Sequence, residues 1–172
     1  KVSSIEPIHG ASLETLDISN TLVRDLAPLA AMPLRRLNAI GTLIESLDPL
    51  RDSPLEELDV SHTQILDLKP LRGLRLRVLS FEHTHVRELS ALAGMPLETI
   101  VLNATDVTDL SPLAQCTALV TVHLTGTGIR DLEPLRGRKL HGIFLGHSKV
   151  RDLSILAGMP LDTIFFDGTE VT

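Results

Sequence analysis

The chain has 172 residues, a formal net charge of −6 at pH 7 and 43% hydrophobic residues, with no Trp or Tyr and only four Phe. This hydrophobic content is sufficient for a folded core, and the acidic balance argues against nucleic acid, whose binding proteins carry basic patches. No apolar run approaches the ~20 residues that a membrane-spanning helix needs, so we predict no membrane insertion.

The chain begins in the second half of a sequence unit that recurs along the rest of the chain. Within residues 1–12, Pro7 occupies the place that Pro134 holds in a complete unit. Stacked arrays of repeats need terminal units with a polar outer face, and neither end of this sequence offers one. We therefore expect the chain to be a segment of a longer protein.

A leucine then recurs at a nearly constant interval. The step is 21 residues, interrupted once by 22, and the leucines are Leu13, Leu34, Leu55, Leu76, Leu97, Leu119, Leu140 and Leu161. If this leucine is position 1, then positions 4, 6, 11, 14 and 17 are apolar in every complete copy. A fixed period of about 20–50 residues is typical of solenoids. We predict one domain over 1–172, with seven full repeats in 13–160 and partial repeats at 1–12 and 161–172.

Within each repeat, positions 3 to 7 alternate between variable and apolar residues, as in the segment 121–125. This alternation predicts a short strand that is buried on one face, and stacked copies would form a parallel sheet. Parallel strands need a crossover connection, which the second half of each repeat supplies.

Position 9 is threonine in seven of eight copies and Ser148 in the other. We predict that each hydroxyl binds the backbone of its own turn and of the next turn, because polar groups that leave a strand inward must be satisfied. The predicted ladder consists of Thr21, Thr42, Thr63, Thr84, Thr105 and Thr127. The alternative is that threonine is only a β-branched filler.

Position 13 of each complete repeat is an acid, except for Ser46 in the second repeat, and position 16 is often proline. We predict that the acid is an N-cap and that the proline starts one short 3₁₀ or α turn. The stacked acids would repel one another, and we expect arginines at position 12 to offset this: Arg24, Arg87, Arg130 and Arg151. The extra residue of the fifth repeat, within 115–118, is predicted to form a loop bulge that contains Cys116.

The pattern LxxLxLxxTxLxDLxPLxxxP resembles the leucine-rich-repeat (LRR) family over essentially the whole chain. Its short 21-residue form is similar to bacterial repeats of internalin-like proteins and of planctomycete kinase-associated arrays. The resemblance implies an α/β solenoid, a right-handed array with a concave parallel β-sheet and short 3₁₀ turns on the convex side. It also implies a protein–protein interaction module. The alternatives are a regulatory or sensor segment of a multidomain enzyme such as a kinase, and a structural spacer.

Position 5 faces outward on the predicted concave surface, and along the chain it changes from acidic to aromatic: Asp17, Asn38, Asp59, Ser80, Val101, His123, Phe144, Phe165. Exposed aromatic residues in a concavity are candidate binding hot spots. We predict a protein partner that binds through Phe144, Phe165, His123, Val101, Asp59 and Asp17. The alternatives are that other parts of the same chain cover the two phenylalanines, or that they have no role.

The histidines form a second group on this surface, and His62, His83 and His85 could just reach one zinc ion. Zinc sites need three or four protein ligands and no cysteine is near, so we predict exposed histidines and no metal. Their protonation below pH ~6.5 would make partner binding sensitive to pH. The chain has no GxSxG, P-loop or HExxH motif, so we predict no enzymatic activity and no cofactor. The lone Cys116 excludes internal disulfides and favours a reducing compartment such as the cytoplasm, although a bacterial surface protein needs no disulfide either.

Overall fold

The computed structural model describes residues 1–171 and contains one parallel sheet whose eight strands follow the order of the chain. The strands are β1 Thr15–Asp17, β2 Arg36–Asn38, β3 Glu57–Asp59, β4 Val78–Ser80, β5 Thr99–Val101, β6 Thr121–His123, β7 Gly142–Phe144 and β8 Thr163–Phe165. Each strand pairs in register with the strand of the next repeat, so that Leu37 lies beside Leu58. The predicted fold class, a leucine-rich-repeat solenoid, is confirmed.

Each crossover contains one short 3₁₀ helix, and no helix within residues 1–171 is long and apolar enough to cross a membrane. The 3₁₀ helices are η1 Glu6–Ile8, η2 Ala27–Leu29, η3 Asp48–Leu50, η4 Lys69–Leu71, η5 Ser90–Leu92, η6 Ser111–Gln115, η7 Glu133–Leu135 and η8 Ser154–Leu156. Six of them carry proline at the second residue, where its fixed φ suits a helical turn.

The predicted N-cap role of the position-13 acids is wrong by one residue. The N-cap is the leucine at position 14, and the acid before it accepts a hydrogen bond from the backbone N–H two residues later. In the first full repeat the distance from Ala27 N to Asp25 Oδ1 is 2.7 Å. The same bond is made by Asp67, Asp109, Asp131 and Asp152. The acid therefore fixes the entry into the turn as an Asx-type bend.

Three of the four arginines of position 12 pair with acids of the following repeat and not with the position-13 acids, whose repulsion they were expected to offset. Arg24 Nη1 lies 3.6 Å from Glu45 Oε1, and Arg151 Nε lies 2.8 Å from Glu170 Oε2. Arg87 is similarly 3.4 Å from Asp106. A guanidinium on a long side chain reaches the next layer, whereas the position-13 carboxylate is already occupied by its own backbone.

The core is a continuous aliphatic column made from the inward positions of successive repeats. Its largest fully buried side chain is Phe81, which follows the smaller Ala39 and Val60 in the position-6 row. The side chains of position 6 therefore vary in size while remaining apolar. Phe81 is one of the four phenylalanines in the sequence.

The extra residue of the fifth repeat lengthens a helix and does not form the predicted loop bulge. Helix η6 has five residues where the other 3₁₀ helices have three. Cys116, which follows it, is buried, and its Sγ donates to the carbonyl oxygen of Leu92 at 3.2 Å. Burial raises the pKa of this thiol, so Cys116 packs as a neutral core residue.

The position-9 hydroxyls bond within their own repeats. Thr127 Oγ1 donates to the carbonyl oxygen of Leu124 at 2.6 Å, and the same bond is made by Thr21, Thr42, Thr63, Thr84, Thr105 and Thr169. The predicted second bond, to the next repeat, is not made anywhere in residues 1–171. A hydroxyl has one proton to donate, and the local carbonyl takes it. The row is thus a series of separate hydrogen bonds.

We expect Thr127→Val to destabilise the protein by roughly 1–3 kcal/mol. Valine keeps the shape of the side chain but leaves the carbonyl of Leu124 with only the 3.3 Å bond from the Thr127 N–H. Urea denaturation followed by circular dichroism measures the effect. Thr99→Val, on the half-buried outward face of β5, is the matched control and should change stability by less than about 0.5 kcal/mol. Equal effects of the two substitutions would mean that the hydroxyl of Thr127 contributes only packing.

Candidate functional site

The predicted binding residues lie in one row on one face of the sheet, since position 5 is the last residue of every strand. We call this face the concave face. Val101, His123, Phe144 and Phe165 follow one another on β5 to β8, and Asp17 and Asp59 lie on β1 and β3. At ~4.8 Å per strand, the row extends over ~33 Å, so its acidic and aromatic ends are far apart.

Three aromatic side chains of this row stack on one another. The rings of His123 and Phe144 have centroids 4.0 Å apart and planes 5° apart, and those of Phe144 and Phe165 are 5.3 Å and 11° apart. We call His123, Phe144 and Phe165 the aromatic ladder. In-register parallel pairing places equivalent side chains one strand spacing apart, which is a favourable distance for stacked rings. Phe165 is 54% exposed, whereas Phe144 and His123 are half-buried.

The ring of Phe144 lies close to a buried glycine of its own strand. Gly142 stands where the neighbouring strands have threonine, and a Cβ on it would lie 3.4 Å from Phe144 Cε2 and 3.2 Å from Thr121 Cγ2. The ring of Phe144 and the side chain of Thr121 therefore approach Gly142 more closely than a larger residue there would allow without a shift. Sequence reasoning missed Gly142, although glycine inside a strand signals a close approach.

The other end of the face carries carboxylates that are held by neutral donors. Asp17 Oδ1 accepts from the Ser19 N–H at 2.8 Å and its Oδ2 accepts from Asn38 Nδ2 at 3.1 Å. Asp59 Oδ1 accepts from the Ser61 N–H at 2.9 Å. Hydrogen bonds from Ser19 lower the pKa of the Asp17 carboxyl, so it is ionised at neutral pH. These side chains line an open depression of about 340 Å³.

A charged row follows the edge of the sheet where the strands begin, at position 2. It alternates in sign through Glu14, Arg35, Glu56, Arg77 and Glu98. Arg77 Nε and Nη2 lie 2.8 and 2.9 Å from the two carboxylate oxygens of Glu98, and Arg35 pairs with Glu56.

The alternation of this edge row stops at β6. Val120 comes next and is 38% exposed, and it is followed by His141, whose Nδ1 lies 2.6 Å from Asp162. The edge row therefore changes character at the same repeat where the concave face becomes aromatic.

The histidines of position 8 have a structural explanation. Position 8 adopts a left-handed backbone in every repeat, with positive φ at Asn20, Gly41, His62, His83, Ala104, Gly126, His147 and Gly168. Asn, Gly and His tolerate this conformation better than most residues, which accounts for their use there. The rings of His62 and His83 stack at 4.4 Å. Within residues 1–171, no group of three or more His, Cys, Asp or Glu side chains is placed to hold a metal ion.

We expect protonation of His123 to destabilise the fold. Desolvation of the half-buried ring lowers the pKa of His123 below the ordinary value of 6.5, and the charge of Glu82 opposes this only in part. The unfolded state therefore binds the proton more readily, and stability falls as the pH drops through about 6.5. Urea denaturation at pH 7.5 and pH 5 should show a smaller acid loss for His123→Gln than for wild type. An identical loss in both proteins would contradict the prediction.

No protein-family model and no curated protein matches this sequence, but solved structures are similar to it over nearly the whole chain. An internalin C2 structure from Listeria monocytogenes has a TM-score of 0.92 and 28% identity, covering 96% of this chain and 76% of its own. An internalin InlF structure from the same organism has a TM-score of 0.88 and 24% identity, covering 97% of this chain. This chain spans about half of that structure, 52%.

More distant structures share the fold alone. A leucine-rich-repeat protein of Leptospira interrogans has a TM-score of 0.79 at 18% identity, covering 99% of this chain and 47% of its own. A complex of TLR13 with single-stranded RNA has a TM-score of 0.66 at 21% identity, covering 91% of this chain and 25% of its own. The same stack of short strands and turns thus occurs in proteins whose sequences differ greatly.

Proposed function

This chain is a leucine-rich-repeat protein similar in structure to internalins, and from this premise we propose that it binds a protein partner through its concave face. The inward positions are committed to the core, so a binding function has to use outward side chains. The observation that carries the proposal is the aromatic ladder, a stacked and partly exposed set of rings at one end of an outward row.

The aromatic ladder has the properties of a binding anchor. With the half-buried Val101, it forms a strip of apolar and aromatic side chains across four strands, β5 to β8. Aromatic residues are enriched at the centres of protein interfaces, where they bury much apolar surface with few rotatable bonds. Stacking already restricts these rings, so binding would cost little additional side-chain entropy.

The charge of the same face favours a protein over a nucleic acid. Asp17, Asp59 and Glu82 lie on it, and phosphate groups would be repelled by these carboxylates. The TLR13 structure contains RNA, but its likeness to this chain at 21% identity concerns the fold. We include in the proposal a non-enzymatic role without a cofactor. The position-9 threonines are proposed to stabilise the fold and not to contact the partner.

The test uses the whole chain as an immobilised bait for proteins extracted from the source cells. Three baits are compared: wild type, Phe144→Ala with Phe165→Ala, and a control in which Val2→Ala and Leu66→Ala remove exposed apolar side chains away from the concave face. We expect a protein that is retained by wild type and control and lost from the ladder variant. A set of retained proteins that is the same for all three baits would contradict binding through this face.

A further inference from the structure

We propose that the partner recognised by this face is a basic protein surface that carries an apolar anchor and, at a distance from it, a cluster of Lys or Arg side chains. The inference rests on the proposed function and specifies the chemistry of what binds. The anchor contacts the aromatic ladder, and the basic cluster contacts the carboxylates on β1 to β4.

Charge is divided unevenly along the concave face. The outward residues at positions 3, 5 and 7 of the first four full repeats include four acids and one base: Asp17, Glu57, Asp59, Glu82 and Arg36. The corresponding positions of the three remaining full repeats and the partial repeat at 161–172 include a single acid, Asp167. One half of the face is therefore anionic and the other is mainly apolar, aromatic and hydroxylic.

Of the four acids, only Glu57 is paired with an arginine of the protein. Arg36 Nε lies 2.9 Å from Glu57 Oε1, which uses the only basic side chain of this half. Within residues 1–171, neither Asp17 nor Asp59 takes part in a salt bridge, and both are oriented by amide or backbone donors. Glu82 Oε2 accepts from Asn103 Nδ2 at 3.1 Å, and its nearest cationic candidate is a His62 nitrogen at 3.8 Å.

The edge row of the same sheet shows the contrast. There, the arginines alternate with the acids, and Arg77 binds both carboxylate oxygens of Glu98. Arginines thus neutralise Glu56 and Glu98 at the edge, whereas Asp17 and Asp59 on the concave face have no such partner within residues 1–171. A cationic surface is the complement that satisfies them, whereas a second copy of this acidic chain would add repulsion.

The two contact regions are separated by a distance that one binding surface can span. Asp59 on β3 and Phe144 on β7 are four strand spacings apart, or ~19 Å. An extended segment covers this distance with about six residues at ~3.3 Å each, and one face of a small domain covers it as well.

The two regions contribute differently to binding. Desolvation of the aromatic ladder supplies affinity and slows dissociation, and it depends little on salt. The carboxylates attract a cationic partner and select its orientation, so they raise the association rate, and salt screens that effect. Binding should therefore weaken as salt rises, mainly through slower association.

The test selects ligands from a phage-displayed library of random twelve-residue peptides on the whole wild-type chain. Phages that also bind the Phe144→Ala, Phe165→Ala variant are removed at each round. We expect the enriched peptides to combine an aromatic or large aliphatic residue with two or more Lys or Arg residues about six positions away.

Synthetic peptides from the enriched family are then measured against two charge variants. Asp17→Asn with Asp59→Asn should raise Kd roughly tenfold at low salt, and the difference should shrink at high salt. The control Asp48→Asn with Glu133→Gln removes two negative charges from the convex 3₁₀ helices and should leave Kd unchanged. Circular dichroism verifies that both variants are folded.

Each outcome separates this inference from the function on which it rests. One contrary result is that the peptides need the aromatic ladder but are neutral or acidic, and another is that their Kd is unchanged by Asp17→Asn with Asp59→Asn. Either result contradicts the basic partner and leaves binding through the concave face intact. Failure to enrich any ladder-dependent family contradicts both. Self-association of wild type in sedimentation, abolished in the ladder variant, would assign the face to a second copy and overturn the proposal.

Discussion

Replacing Phe81 with alanine is expected to lower the free energy of unfolding by about 3–5 kcal/mol. Phe81 is the largest fully buried side chain and has 0% of its surface exposed. The substitution removes an aromatic ring from the position-6 row and leaves a cavity. The hydrogen bonds of the sheet keep Val60 and Leu102, in the adjacent repeats, from moving in to fill it. Guanidinium denaturation followed by far-UV circular dichroism measures the loss.

The shape of the transition gives a second measurement for this variant. Because each repeat is stabilised mainly by its neighbours, a defect in the fourth full repeat should weaken the coupling between the two sides of the array. We expect a broader transition for Phe81→Ala than for wild type. Leu66→Ala, at a residue that is 64% exposed, is the control and should change stability by less than about 0.5 kcal/mol. A loss near 1 kcal/mol for Phe81→Ala would mean that the repeats collapse around the space.

Replacing Phe144 and Phe165 together with alanine is expected to weaken partner binding by about 3–5 kcal/mol, a factor of roughly 10²–10³ or more in Kd. The double substitution removes most of the apolar area of the strip and deprives His123 of its stacking partner. The chain should remain folded, because Phe165 is largely exposed and stacked aromatic pairs contribute only about 0.5–1.5 kcal/mol each.

Calorimetry with the partner, or with a selected peptide, separates the two rings. We expect Phe144→Ala alone to have the larger effect, since Phe144 lies between two stacked rings and hot spots concentrate at the centre of an interface. Val2→Ala with Leu66→Ala should leave Kd within about twofold. Unchanged affinity in the Phe144, Phe165 variant would remove the aromatic ladder from the binding site.

The adjacency of Phe144 and Phe165 is a consequence of the period and could be predicted from it. A shift of one residue in register would turn every core leucine outward, so only one register is compatible with the repeated apolar positions. Equal positions in successive repeats must then be neighbours, as Phe144 and Phe165 are. The short turns could also be predicted, because each crossover has too few residues for a longer helix.

The errors concern side chains whose partners are chosen by local geometry. Asp25 could have been the N-cap of the 3₁₀ helix or the residue before the N-cap. In the structure Leu26 is the N-cap, and Asp25 accepts the hydrogen bond from the Ala27 N–H. Arg24 had acids within reach both in its own repeat and in the next. The alternative partners of an exposed carboxylate or guanidinium differ by small free energies. A repeat pattern does not encode such differences.

The spacing of leucines was enough to determine the solenoid, its sheet order and the residues that face outward, because burying one apolar stripe per repeat leaves a single way to stack the copies. Only the folded chain decided which outward residues interact. The stacking of His123 on Phe144, the close approach of Phe144 to Gly142 and the contrast between the paired edge acids and the unpaired Asp17 and Asp59 depend on distances between layers. Those distances follow from the packing of the core.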